Sequence, residues 1–338
     1  MDHTMETQNH FQYRRNYKAG GITLIIFILS VICSPERSEA KLNTSGFDFG
    51  LSSGYRVDQL DWNFAGYNSD FNYTNIRSEL TWEDLEINQF NTHGNVTLKH
   101  DNIPFGLSFR GTIGYGKIHS GKNQDSDYHG NNRTQEFSRS NNRSDEGDVR
   151  DFSAGLGPVF TTREGNFSIT PCIGYSYHEQ NLTIHDGYQT ISEPGIDPSA
   201  APLGPITGLD STFDTQWYGG WLGVVMEFAP TTNFSLHSSI ELHSGTYEAE
   251  ANWNLIPYFQ HPVSFRHYSD DAKGLLINLG LMTGAKNLQF KIDLGYQKWQ
   301  AEDGQIKFYE EDGDIYILKL NEVNWESFSA MAGVTLRF

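Results

Sequence analysis

Two aspartates stand one residue apart in the stretch Gln124-Asp125-Ser126-Asp127-Tyr128. On an extended strand, residues i and i+2 point to the same side, so both carboxyls would face one space. Like charges held that close raise one of the two pKa values, and the pair can then hold a water for general acid–base work. Two blander readings compete. Aspartate is common in turns, where its side chain bonds nearby backbone. Asp125, Asp127, Gly130 and Glu136 also fall at the first, third, sixth and twelfth positions of a calcium loop, although His129 spoils the fifth ligand and no helix pattern flanks it.

Other groups invite the same weighing. His237, Glu241 and His243 share one face of an alternating segment. They could relay protons, or they could be a satisfied polar interior paired with Arg110, Lys291 or Asp293. Cys172 lies among small residues and suits a packed thiol. Trp217 and Trp221 suit a lumen lining or stack, a membrane girdle or plain packing. Glu302-Asp303 and Glu310-Glu311-Asp312-Gly313-Asp314 are either a solvated loop face or a field that steers basic peptides.

The elements that must position these groups are strands. From the C-terminus backwards, Phe338, Leu336, Val334, Ala332, Ala330 and Phe328 alternate with small or polar residues. The same period of two recurs at Phe105–Tyr115, Phe167–Tyr177, Phe234–Leu242 and Leu288–Tyr296. The polar faces mix Gly and Ser with isolated Arg, Glu, Lys and His, which suits the inside of a narrow barrel. The apolar faces carry Tyr, Phe and Trp, which suits lipid with aromatic girdles. Only a closed barrel satisfies every backbone group of a sheet in a bilayer. Ten segments are predicted, near 46–57, 72–92, 104–118, 148–162, 166–186, 211–229, 233–254, 273–286, 288–309 and 315–338. Short connections (99–104, 161–166, 229–233, 284–287) alternate with long polar ones (58–71, 119–147, 187–210, 255–272, 299–316). The fold class is therefore all-β: a single closed antiparallel transmembrane β-barrel of about ten strands, with long extracellular loops and short periplasmic turns. The Pro/Gly-rich stretch 192–208 reads as a mobile loop. A ten-strand barrel is narrow enough for side chains to fill much of its interior, so an open pore is not the default.

Composition agrees. Of 338 residues, 37 % are hydrophobic and 14 % aromatic, with 33 glycines, which argues against helical bundles and against a disordered chain. The formal net charge of −18 excludes general nucleic-acid binding, which needs a basic face. Arg14, Arg15 and Lys18 precede an apolar run over 19–33, and Ser38-Glu39-Ala40 follows. This reads as a signal peptide over 1–40 cut after Ala40, with the barrel over 41–338. The run is too short for a spanning anchor helix, and Ile32 disfavours a lipoprotein cut before Cys33. With Cys33 removed and Cys172 alone, no intrachain disulfide is expected.

Several stretches resemble the omptins, ten-stranded outer-membrane endopeptidases of Gram-negative bacteria. Ser78-Glu79-Leu80-Thr81-Trp82 is similar to the family's Ser-Gln-Leu-Asp-Trp, and Asp125-Ser126-Asp127-Tyr128 to its Asp-x-Asp-Trp, which carries a catalytic aspartate pair. His243-Ser244-Gly245, the hairpin lengths and the C-terminal strand also fit. The resemblance implies a cell-surface barrel in the outer membrane, in contact with its lipid, acting as an aspartyl-type endopeptidase that cleaves next to basic residues and needs lipopolysaccharide. It implies no cofactor besides that lipid and no metal. It also implies an Asp-x-His on the far wall, where counting on from His243-Ser244-Gly245 gives Trp253 and Leu255. Neither can titrate. Stand-ins for the base are His261 and His267, with Asp270 and Asp271, all in the fourth long loop. The leading expectation is an omptin-like barrel whose catalytic dyad is lost or rebuilt and which binds basic peptides or host or surface proteins. The alternatives are a working endopeptidase, with Asp125 and Asp127 holding the water and His261 or His267 as base, and a small porin.

Overall fold

The computed structural model describes residues 43–99, 105–231, 233–285 and 287–338; the expected signal peptide lies outside them. Eleven antiparallel strands follow one another: β1 (Asn43–Tyr67), β2 (Tyr73–Lys99), β3 (Gly106–Gly130), β4 (Thr134–Arg143), β5 (Gly147–Thr161), β6 (Phe167–Ser192), β7 (Gly204–Thr231), β8 (Phe234–Asn252), β9 (Phe265–Ala285), β10 (Leu288–Tyr309) and β11 (Ile315–Arg337). The sheet closes on itself because β1 pairs with β11 from Asp48↔Arg337 to Ala65↔Lys319. Between β3 and β6, β5 fills the lower part of the wall and β4 the upper. The ring therefore has ten positions, as the alternation predicts, one of them occupied by two strands end to end.

The long loops are where expectation and structure part. Apart from β4 and β5, the strands run from 19 to 28 residues, whereas a tilted strand needs about ten to cross a bilayer. Most of the residues expected in loops are strand continuations beyond the membrane. The segment 119–147 is not a polar loop but the top of β3, the whole of β4 and the turn between them. Likewise β1 runs on to Tyr67, β6 runs on to Ser192 and β9 starts at Phe265, whereas β10 reaches Tyr309 as the alternation predicts.

The physical reason is an inversion of polarity along each strand. In the lower half of β1, Leu51 (50 % exposed) and Tyr55 face out while Ser52, Arg56 and Asp58 are buried in the lumen. Higher on the same strand the inward side becomes Leu60 and Trp62, and the outward side Gln59 and Asp61. On β11, Phe328 faces out below, and Val323 and Trp325 are buried inside above. The lower half is built for lipid, apolar outside and polar inside, with Phe90 on β2 69 % exposed. The upper half stands in water, where burying each large apolar side chain stabilises by about 1.5–3 kcal/mol, and it forms an ordinary apolar core. Its members include Leu80, Trp82, Leu85, Phe213, Trp217, Phe265, Ile306 and Leu320. Trp82 stacks on Phe213 at 5.1 Å and Trp299 on Trp325 at 6.0 Å. Trp217 and Trp221 pack inside the barrel and not in a girdle.

Below that core lies a layer of paired charge. Arg56 donates to both oxygens of Asp58 (Nε 2.7 Å, Nη2 2.6 Å) and through Nη1 to Asp151 (2.8 Å). Gln180 and Trp325 also donate to Asp58 (2.9 and 3.1 Å), and Asp151 meets His178 Nδ1 at 2.8 Å. His237 pairs with Asp293 (2.5 Å), Lys291 with the same carboxylate (3.0 Å) and His243 with Glu241 (3.3 Å). His237 is thus paired with Asp293 as the polar-interior reading expects, whereas His243 Nε2 has no hydrogen-bond partner and Arg110 takes no part. Cys172 is buried and directs its thiol to the Thr170 carbonyl.

Candidate functional site: an acidic pair at the barrel mouth

Asp125 and Asp127 lie on the inward side of β3, near its extracellular end. A register shift lower on the strand, where Glu86 faces Ser120 and Ile87 faces Ile118, moves the lumenal face onto odd residues, so Gly121, Asn123, Asp125 and Asp127 continue it. Cross-strand neighbours then decide how the two carboxyls differ. Asp127 sits between Ser78 on β2 and Ser138 on β4, whose hydroxyls favour its ionised form. Asp125 sits between Leu80, which offers no donor, and Ser140, whose Oγ accepts from Asn142 Nδ2 (3.0 Å). Asp125 Oδ1 is sealed from solvent and has no partner.

The electrostatics follow. Burial, and then the charge of Asp127, push the Asp125 carboxyl well above the usual carboxylate range. Burial raises Asp127 too, opposed by the two serines and by Arg77 and reinforced by Asp197. Such a pair shares a proton in preference to carrying two charges. No histidine is among the groups that shift either carboxyl.

Arg77, Asp197 and Tyr258 complete the surroundings, and sequence reasoning missed all three. Arg77 donates to the Tyr128 carbonyl (2.8 Å) and to Asp197 (3.2 Å) and lies 4.7 Å over the Phe137 ring. Asp197 is 1 % exposed and accepts from the backbone N–H and hydroxyl of Ser199 (3.1 and 2.7 Å). It anchors the stretch expected to be a mobile loop. Tyr258, between β8 and β9, is exposed; partial desolvation and the charges of Glu310 and Asp127 raise its phenol. Its backbone carbonyl accepts from the Glu311 N–H, and Gln260 N–H donates to the Tyr309 carbonyl. An arginine beside the Ser-Glu-Leu-Thr-Trp stretch and an aspartate in a Pro/Gly-rich loop were the available signals, but nothing in one dimension joins them.

The expected bases are elsewhere. His267 is on β9, 2 % exposed, with its ring 4.7 Å from Trp62 and 5.4 Å from both Phe213 and Phe265. Its Nδ1 lies 3.2 Å from the Tyr247 hydroxyl, its Nε2 has no partner, and burial lowers its pKa to about 3. His261 is exposed and bonded through Nδ1 to Asn252 (2.7 Å). Asp270 and Asp271 are exposed, the latter paired with Lys273. Trp253, where the resemblance puts an acid, packs on Phe265 at 4.8 Å, and Leu255 is an exposed loop residue. The calcium-loop spacing also dissolves in three dimensions. Asp125 and Glu136 lie on two paired antiparallel strands, and both Glu136 oxygens accept from Arg139 (2.7 and 2.8 Å).

Comparison with known proteins places this geometry. A family model described as Pom, Protochlamydia outer membrane protein, matches residues 50–338. No curated protein sequence matches. Among solved structures, the outer membrane protease OmpT from Escherichia coli superposes with a TM-score of 0.69 at 12 % identity, covering 88 % of this chain and 98 % of that one. That is a likeness of fold. Ail, the attachment invasion locus protein of Yersinia pestis (TM-score 0.27, 13 % identity, 86 % and 98 % covered), and the transport unit of the autotransporter AIDA-I from Escherichia coli (0.37, 9 %, 94 % and 98 %) are barrels too dissimilar to guide interpretation.

Proposed function

Because this chain belongs to the Protochlamydia outer membrane protein family, Pom, and stands in the outer membrane as a barrel of omptin-like fold, we propose that its mouth recognises basic peptide segments at the cell surface and does not cut them. The observation that carries this reading is the pair Asp125 and Asp127, one oxygen of which is buried without a partner, with Tyr258 feeling the charge of both Asp127 and Glu310, the first residue of the acidic run 310–314. A guanidinium or ammonium group supplies what Asp125 lacks: a charge partner that lets both carboxyls ionise. Hydrolysis by the route the omptin resemblance implies would need in addition an acid–histidine pair on the far wall, where Trp253 and Leu255 stand, and the pair's neighbours, Ser78, Ser138, Arg77, Asp197 and Tyr258, include no histidine. The apolar core across the upper lumen counts against a porin.

The test is fluorescence anisotropy of a labelled peptide containing paired arginines, titrated with the full chain in detergent. Lipopolysaccharide is supplied as the lipid partner an omptin-like barrel would require. Saturable binding that weakens about 10–100-fold in Asp127→Asn, the loss of one charge-assisted hydrogen bond, supports the reading. Unchanged affinity in that variant, or fragmentation of the peptide, overturns it.

A further inference from the structure

A second polar space lies inside the barrel, in its membrane half, away from the mouth. It is a cavity of about 230 Å³, many times what one water needs. A ten-strand barrel is narrow enough for side chains to fill. Here the lumenal positions Gly114, Gly295, Ser327 and Ser329 carry too little side chain to do so, and all four line the space. Above it, the Arg56 network and the stacked tryptophans close the way to the cell exterior. At the periplasmic end, Arg337 on β11 reaches Asp48 on β1 (3.0 Å) and Glu227 on β7 (3.4 Å). That contact spans the lumen as an ionic crossbar and is no apolar seal.

The charges on the cavity wall are mostly accounted for. Arg56 is held by Asp58 and Asp151, and Lys291 and His237 by Asp293. Arg110 is the exception. It has no ion-pair partner among the described residues, and its Nη1 is sealed from bulk solvent with no hydrogen-bond partner. His178 is 4 % exposed, and its Nε2 is likewise unpartnered on the same wall. A guanidinium at membrane depth with no counter-ion is costly, and such groups mark ligand or ion pathways. A cation without an ion-pair partner, on a wall where Gly114, Gly295, Ser327 and Ser329 leave room beside it, has the chemistry of an anion site.

We infer that this cavity binds one small oxyanion of the carboxylate or phosphate class, entering from the periplasm, with Arg110 as its charge partner and serine hydroxyls as further donors. The inference is independent of the acidic mouth. Calorimetric titration of the full chain, purified from outer membranes in detergent, with inorganic phosphate and separately with acetate tests it, with chloride holding the ionic strength fixed. One site per barrel is expected for at least one of the two probes, weakened about 10–100-fold in Arg110→Gln and partly restored in Arg110→Lys. Ser329→Leu keeps Arg110 and fills the space against Gly295, whose added Cβ would already lie 2.6 Å from Ser329 Oγ. This variant should lose binding too, and it decides the matter if Arg110→Gln fails to fold. No heat from the wild type with either probe overturns the inference. So does wild-type affinity in Arg110→Gln, or in Ser329→Leu, which would mean an adventitious ion outside the cavity.

Discussion

Replacing His267 by phenylalanine should remove a defined part of this protein's acid sensitivity. The imidazole is enclosed by Trp62, Phe213 and Phe265, and burial holds its pKa at about 3. In the unfolded chain the same ring titrates near 6.5. Between those values the unfolded state binds a proton that the folded state refuses, so this group's stabilising effect is complete above about pH 6.5 and declines as pH falls. At about pH 5 the decline is roughly 1.5 pH units at about 1.4 kcal/mol each, or about 2 kcal/mol. That figure is insensitive to the folded-state value as long as it stays well below 5. Phenylalanine keeps the ring packing and carries no proton. The lost contact with the Tyr247 hydroxyl is a pH-independent offset and cancels between conditions. Urea unfolding of the wild type and His267→Phe, followed by tryptophan emission at about pH 7.5 and about pH 5, should give a difference of differences of about 2 kcal/mol. The same pH dependence in both proteins would refute the reasoning. A His267 resonance titrating near its unperturbed value would do so as well, and would restore His267 as a base candidate.

Other consequences are equally concrete. Arg56→Met leaves the buried Asp58 and the Asp151 carboxylate without their cation, and should cost about 3–5 kcal/mol, read as a lower temperature for the barrel's heat-dependent gel shift. Gly174→Ala would put a Cβ 2.3 Å from the Ala154 carbonyl oxygen and 2.3 Å from the Trp221 ring. It should destabilise by about 1–3 kcal/mol, and the same gel shift checks it. Planar-bilayer recordings of the wild type should show no conductance steps, because the apolar core spans the upper lumen; steady open levels would contradict a closed extracellular half.

The period of two was legible throughout, since lipid and lumen impose opposite demands on alternate residues of β3, β6, β8 and β10. What misled was polarity. Above the membrane the outward residues turn to Gln59 and Asp61, so β1 there looks like a loop if strands are sought by an apolar outer face. The clue was present: Leu60 and Trp62 continue the even-numbered side that holds Arg56 and Asp58, without a break in the alternation. The aspartate pair was legible because i and i+2 share a face whatever surrounds them. The rest of the site was not. Arg77, Asp197 and Tyr258 come from three elements whose meeting depends on barrel register. His267 looked like a loop base because the burial that keeps it neutral is a property of Trp62, Phe213 and Phe265, from three other points in the chain.

The most direct test of a mouth that holds basic segments intact is to load the full chain with a paired-arginine peptide, wash, elute and weigh the eluate by mass spectrometry, beside an Asp125→Asn/Asp127→Asn double variant. The account predicts full-length peptide retained by the wild type and washed from the variant. Shortened peptide, or equal retention by both proteins, would contradict it.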